Sequence, residues 1–280
     1  MNKASIAKWY DETSPFYRYI WYLNSQSYAL HYGLWDRNTK NLHEALLNTN
    51  EFMSRQAGIK KGTEVLDAGC GIGGSSIWLA KNIQAKVTGI SISSKQIEKA
   101  NELAEKYGVS TLVTFYLKDY LHTEFKDNTF DVVWAIESVC HAKKKEAFLA
   151  EAYRILKKGG KIIISDGFLK RKPINKREKQ LTLDFYRGML LPNLSSFSEF
   201  ENKMKSVGFI KLKKFDKTKN ILPSSRRMNR ITKILYPFLS IAVKISLLPS
   251  LFLINCKAAI VQYEGVKRGL FGYGIFYAEK

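Results

Sequence analysis

The feature that most constrains this chain is the decapeptide VLDAGCGIGG at 65–74, an apolar run that breaks into glycines spaced G-x-G-x-x-G. Glycines at 69, 71 and 74 permit a tight turn from a buried strand into a helix. They leave the backbone bare where a nucleotide-like ligand would approach. A strand apolar on both faces needs parallel neighbours and helices above and below it. Residues 86–92 (KVTGISI), 111–116, 130–136 (FDVVWAI) and 160–166 (GKIIISD) read as those neighbours. The segments 74–82, 94–107 and 144–156 read as the helices between them, with Ile97, Ala100, Leu103 and Ala104 on one face of the second. Regular strand–helix alternation predicts an α/β Rossmann-like domain with right-handed crossovers.

The rest of the chain is read around that domain. Residues 1–60 are expected to form a helical lid, dense in aromatics: Trp9, Tyr10, Phe16, Tyr17, Tyr19, Trp21 and Tyr22, followed by His31, Tyr32 and Trp35. Residues 61–220 form the ligand-binding core, ending in helices near 176–191 and 198–207 and a strand near 209–215. Residues 221–268 form an apolar helical cap, and 269–280 a strand that closes the core. The most apolar stretch, 231–262, is interrupted by Lys233, Lys244, Lys257, Pro237 and Pro249. It is expected to break into pieces of roughly ten residues, against the roughly 20 that a membrane span needs. Such pieces suit a greasy substrate pocket or a segment lying in a membrane interface.

Charge narrows the partners. With 45 Lys and Arg against 25 Asp and Glu, the chain carries a formal +20. That field favours anionic surfaces. No helix-turn-helix, zinc-finger or RNP-like string accompanies the basic clusters at 170–179, 211–219 and 226–230, so a nucleic-acid partner is not expected. The clusters read as a solvated surface or, because an apolar stretch follows the last of them, as peripheral contact with a membrane. Three scattered cysteines make neither a disulfide framework nor a Cys-rich zinc site, and no bound metal is expected. They suit a reducing cytosol, and MNKASIAKWYDETSPFY has no apolar signal-peptide core, so a cytoplasmic protein is expected.

Asp67 decides which ligand the glycine turn takes. It stands two residues before the first glycine, at the end of the strand. A carboxylate there repels a diphosphate, but it welcomes a ligand that presents an ammonium group and carries a sulfonium charge. Those are the charges of S-adenosylmethionine. Two alternatives belong to other classes: a nicotinamide oxidoreductase using the same turn, and a non-catalytic binder of membranes or nucleic acid resting on charge alone.

The strings YDETSPFYRYIW, HYGLWD, LDAGCGIGGSSIWLA, GISISSKQIEKANELA, FDVVWAIESVCHAKKKEAFLAEAYRILKKGGKIIISD and YEGVKRGLFGYGIFYAEK span nearly the whole chain. Together they resemble class I S-adenosylmethionine-dependent methyltransferases, within the branch of tocopherol and sterol C-methyltransferases. The resemblance implies a seven-stranded sheet whose last strand is antiparallel, with the apolar insert as a substrate cap. It also implies that Asp67, Gly69 and Gly71 hold the methionine part of the cofactor. Ser91, Ile92 and Gln96 take the place of the usual acidic ribose ligand, and Asp119 and Tyr120 read and cover the adenine. Glu137 and His141, after the fourth strand, are the candidate base and proton relay, with Tyr10 and His31 of the lid nearest the chemistry. The acceptor implied is a hydrophobic isoprenoid, sterol-like or prenylated aromatic molecule methylated on carbon. N-methylation of an amine or phosphobase is the alternative within enzymes.

Overall fold

The computed structural model describes residues 3–17 and 27–280. Tyr19, Trp21 and Tyr22 of the expected aromatic cluster, and the side chains of Phe16 and Tyr17, lie outside the described residues. Strand β1 (Glu64–Ala68) is buried along almost its whole length and pairs in parallel with β2 (Lys86–Ser91) on one side and β4 (Phe130–Ile136) on the other. With β3 (Val113–Leu117), β5 (Leu156–Leu169), β6 (Ile210–Asp216) and β7 (Phe271–Glu279), the described residues form one sheet in the order β3-β2-β1-β4-β5-β7-β6. Strand β7 runs antiparallel to both β5 and β6.

Period-two alternation divides the core. Val65, Trp134, Ile163, Tyr273 and Ile275 face one layer, while Leu66, Val133, Ile162, Ile164 and Phe276 face the other. Helices α3 (Gly74–Ile83) and α4 (Ser94–Lys106) cover the first layer. Helices α5 (Lys145–Ile155) and α7 (Phe197–Val207) cover the second. Strand β5 begins earlier than expected, at Leu156, because its pairing slips between Phe130↔Leu156 and Val132↔Lys161 and the Lys-Lys-Gly-Gly segment joins it as a bulge.

Three expectations about the additions need correction. Residues 1–60 are not one lid: α1 (Lys3–Tyr17) reaches His141 through Tyr10, but α2 (Leu42–Ala57) packs into the core. Asn41 caps α2 by accepting from Glu44 N at 2.9 Å, and Met53 and Ala57 are fully buried under the sheet. The cap begins earlier than residue 221, because α8 opens at Thr218. It is also not cut at Pro237, since α8 runs unbroken from Thr218 to Lys244 through both Pro223 and Pro237. Each proline removes one backbone donor, but Pro223, Pro237 and the residues four before them, Lys219 and Lys233, are all exposed. Water can take the carbonyls left over. Pro249 does mark a break, in the turn before α9 (Leu251–Lys267), which packs against α8 and against α6 (Lys176–Gly188).

Candidate active site

The strand order reverses direction between β1 and β4, where a doubly wound sheet opens a crevice at its carboxyl edge. The glycine turn enters that crevice. Gly69 N and Cys70 N both donate to Ile90 O at 3.0 Å, pinning the turn to the end of β2. Gly69 has φ +94°, and a Cβ on it would lie 2.4 Å from Ser138 Cβ. Ser138 is itself fixed, since its Oγ donates to Ala68 O at 2.6 Å and its carbonyl accepts from Tyr120 Oη at 2.9 Å. Gly69→Ala should therefore push β1 and the segment after β4 apart. We expect it to cost about 2–4 kcal/mol of stability in thermal unfolding. Calorimetry should find S-adenosylhomocysteine affinity reduced at least tenfold; an unchanged affinity would contradict this account of the turn.

On the β2 side of the crevice, Asp67 is buried and accepts from Ser76 Oγ at 2.6 Å. Burial outweighs that bond and pushes its carboxyl up to about 6. Ser91 Oγ donates to Gln96 Oε1 at 2.7 Å, and with Ile92 both line the cavity. Ser93 caps α4, its Oγ accepting from Gln96 N at 3.1 Å and donating to Asp11 Oδ1 of α1. The lid thus brings a carboxylate beside the position where β2 lacks one. Asp119 Oδ1 accepts from Leu121 N at 2.9 Å. Tyr120 stands edge-on to Phe148 with centroids 5.3 Å apart, and both residues of the pair Asp119–Tyr120 line the cavity.

On the β5 side stands Glu137, with φ +48°, a conformation that side chains adopt at a cost. Its Oε1 accepts from Tyr32 N at 2.7 Å and from Tyr273 Oη at 2.8 Å. Tyr273 Oη in turn accepts from Ser165 Oγ at 3.0 Å. Among the described residues nothing donates to Oε2. Burial pushes Glu137 up to about 8 against the pull of those two donors, with the charge of Asp166 adding to the rise. Asp166, also buried and also raised, accepts from Cys140 N and Gly167 N, each at 2.7 Å. Two buried carboxyls, Asp67 and Asp166, and the half-buried Glu137 therefore meet at one sheet edge of a strongly basic protein. Each is held above its ordinary range chiefly by burial, as expected of a pocket shaped for positive charge.

The two histidines are not alike. His141 Nε2 accepts from Tyr10 Oη at 2.9 Å while Nδ1 faces Leu190 O at 3.4 Å. His31 Nδ1 donates to Tyr32 O at 2.9 Å, and its buried Nε2 has no partner among the described residues. Burial drives both rings down to about 4, so both are neutral at pH 7. Through Tyr10, His141 ties α1 to the segment that follows β4.

One cavity of about 300 Å³ joins all of these groups. Beyond Glu137 its wall turns apolar, with Met189, Leu191 and Leu194 from the segment after α6, Ile221 and Met228 from α8 and Phe252 from α9. Lys118 is the single Lys or Arg of the described lining, and it is paired with Glu124 at 2.6 Å. Sequence reasoning had picked out Asp67 and Glu137 but not Tyr273 or Asp166. The signal for Tyr273 is its setting between Gly272 and Gly274, since a Cβ on Gly274 would strike Phe197 at 2.4 Å on the opposite face. Asp166, like Asp67, closes a buried apolar run, and that pattern could have flagged it.

Residues 66–164 match the family of methyltransferase domains. Cycloartenol-C-24-methyltransferase 1 of Oryza sativa subsp. japonica is 34% identical over 207 residues, which are 73% of this chain. The chain spans 58% of that protein's length. The chloroplastic tocopherol O-methyltransferase of Arabidopsis thaliana is 29% identical, with 99% of this chain and 82% of that protein covered. Geranyl diphosphate C-methyltransferase of Streptomyces coelicolor A3(2), solved with Mg2+, geranyl-S-thiolodiphosphate and S-adenosyl-L-homocysteine, superposes with a TM-score of 0.76. It is 22% identical, covers 99% of this chain and 97% of its own, and shares the fold.

Proposed function

Because this chain belongs to the class I S-adenosylmethionine-dependent methyltransferases, on the branch of the sterol and tocopherol enzymes, we propose that it methylates a hydrophobic acceptor. The acceptor class is an isoprenoid, a sterol-like molecule or a prenylated aromatic, with carbon as the methylated atom. The observation that carries this reading is the continuity of the cavity: a carboxyl-rich crevice at the glycine turn opens directly onto the apolar chamber under α8 and α9. The lone cation of the described lining is already paired, which argues against a phosphobase acceptor.

S-adenosylmethionine supplies a methyl group already activated on a cationic sulfur, so the protein has to position, dry and deprotonate. Asp67 and the glycine turn suit the cationic methionine part, with Ser91, Gln96, Asp119 and Tyr120 on the nucleoside side. Two donors clamp Glu137 Oε1 and leave Oε2 to receive a proton from the acceptor. A positive charge beside Glu137 favours its ionised form, so a filled site turns an acid into a base. The rings of Tyr32 and Tyr273 line the same space and can face positive charge that develops on an alkene acceptor. Trp9 and Tyr10 of α1 cover the cavity and keep water out.

The test is transfer of labelled methyl groups into a panel of acceptors. Label should enter prenylated phenols, sterols or linear isoprenoids and survive base treatment. Label entering only water-soluble amines, or none at all with S-adenosylhomocysteine failing to bind, would overturn the reading.

A further inference from the structure

Helix α8 is apolar on two opposite sides, and only one of them is accounted for. Its inner side carries Met228, Thr232 and Leu239 toward the cavity and the core. On the outer side Ile234, Phe238 and Ile241, and Ile245 directly after the helix, are 67, 68, 59 and 67% exposed. Their spacing of four, three and four residues sets all four along one stripe. Leu247, 72% exposed, extends the stripe into the turn before α9. A stripe of large side chains left in water on a folded chain marks a surface that something covers.

Charge says what covers it. Arg226, Arg230, Lys233 and Lys244 are exposed beside the stripe. No acidic residue occurs in the sequence from Lys217 to Tyr263. We propose that the outer face of α8, from Arg226 to Leu247, is a docking surface for an anionic lipid bilayer, with Phe238 and Ile241 entering the headgroup–acyl boundary and the basic rim meeting lipid phosphates. An amphipathic helix lying in that plane buries its apolar face a few ångströms deep and gains from each cation near the surface. A second copy of this chain is the poorer occupant, because pairing two such faces would bring two basic rims together. No described helix is long and apolar enough to cross the membrane, so the contact is peripheral.

The surface needs neither acceptor nor cofactor to be tested, so its failure and that of the methyl-transfer reading are separable. The full chain should float with vesicles of phosphatidylcholine and phosphatidylglycerol at about 0.1 M salt, where charges are felt to about 10 Å. It should bind vesicles of phosphatidylcholine alone about tenfold less. At about 1 M salt, where screening sets in within about 3 Å, the difference between the two should vanish. Phe238→Glu should lower partitioning onto the anionic vesicles by about tenfold or more with thermal unfolding unchanged. Ile245→Ser, at the exposed end of the stripe, makes the same test should Phe238→Glu disturb the fold. Undiminished flotation of both variants would overturn the proposal. So would absence of wild-type binding, or a dimer in sedimentation that Phe238→Glu dissolves.

Discussion

Glu137→Gln should lower turnover by about 10²–10⁴-fold while S-adenosylhomocysteine binds within about threefold of wild type. The amide oxygen can still accept from Tyr32 N and Tyr273 Oη, which lie 2.7 and 2.8 Å from Oε1, so the clamp and the fold survive the change. What is lost is the capacity to take up a proton. The pH dependence sharpens the test. A base must be ionised, and burial holds Glu137 at about 8 in the free protein. kcat/KM for the cofactor, which reports the free enzyme, should rise with pH and level off above about 8. The same limb in kcat should lie at lower pH, because positive charge in the filled site favours the carboxylate. Both limbs should disappear in Glu137→Gln. A variant that keeps turnover within threefold, or keeps the limbs, would remove Glu137 from the chemistry.

Asp67→Asn should weaken S-adenosylhomocysteine by about 10–100-fold, the worth of about 1.5–3 kcal/mol for a hydrogen bond to a charged partner. That ligand carries the ammonium group without the sulfonium, so it isolates the Asp67 side of the crevice from the Glu137 side. In wild type the sign follows from the raised carboxyl. Asp67 is ionised above about 6, where a cation binds best, and protonated below it. Calorimetric affinity should be flat above about pH 7 and fall by up to tenfold per pH unit below about 6. Asp67→Asn should lack that fall. Should the wild-type affinity stay level from about pH 5 to about pH 8, Asp67 does not face the ligand's amine.

How much was legible in the sequence depends on how local each determinant is. Strand β4 was read with its observed ends because FDVVWAI is apolar and β-branched between polar neighbours. Asp67 and Glu137 were reachable because Asp67 stands at the end of its strand, two residues before the first glycine, and Glu137 directly follows its own. Tyr273 was not, because its partner Glu137 is 136 residues away, and only the pairing of β7 with β5 brings Tyr273 opposite Gly167 and within reach. Helix α2 was assigned to the lid because nothing near it in sequence announces that Met53 and Ala57 belong beneath the sheet. Pro237 was read as a breaker from intrinsic preference, which packing along α8 overrides where both Pro237 and Lys233 are exposed to water. His31 and His141 were visible as residue types, but the burial that neutralises them is a property of the assembled cavity.

The first helix is tied at two points that belong to different halves of the cavity. Asp11 holds Ser93 at the β2 end of the cavity, and Tyr10, one residue before it, holds His141 at the Glu137 end. Adjacent residues on a rigid helix do not let go separately, so loosening one tie strains the other. Under the proposed methyl transfer, spent cofactor and methylated product would leave past one and the same latch.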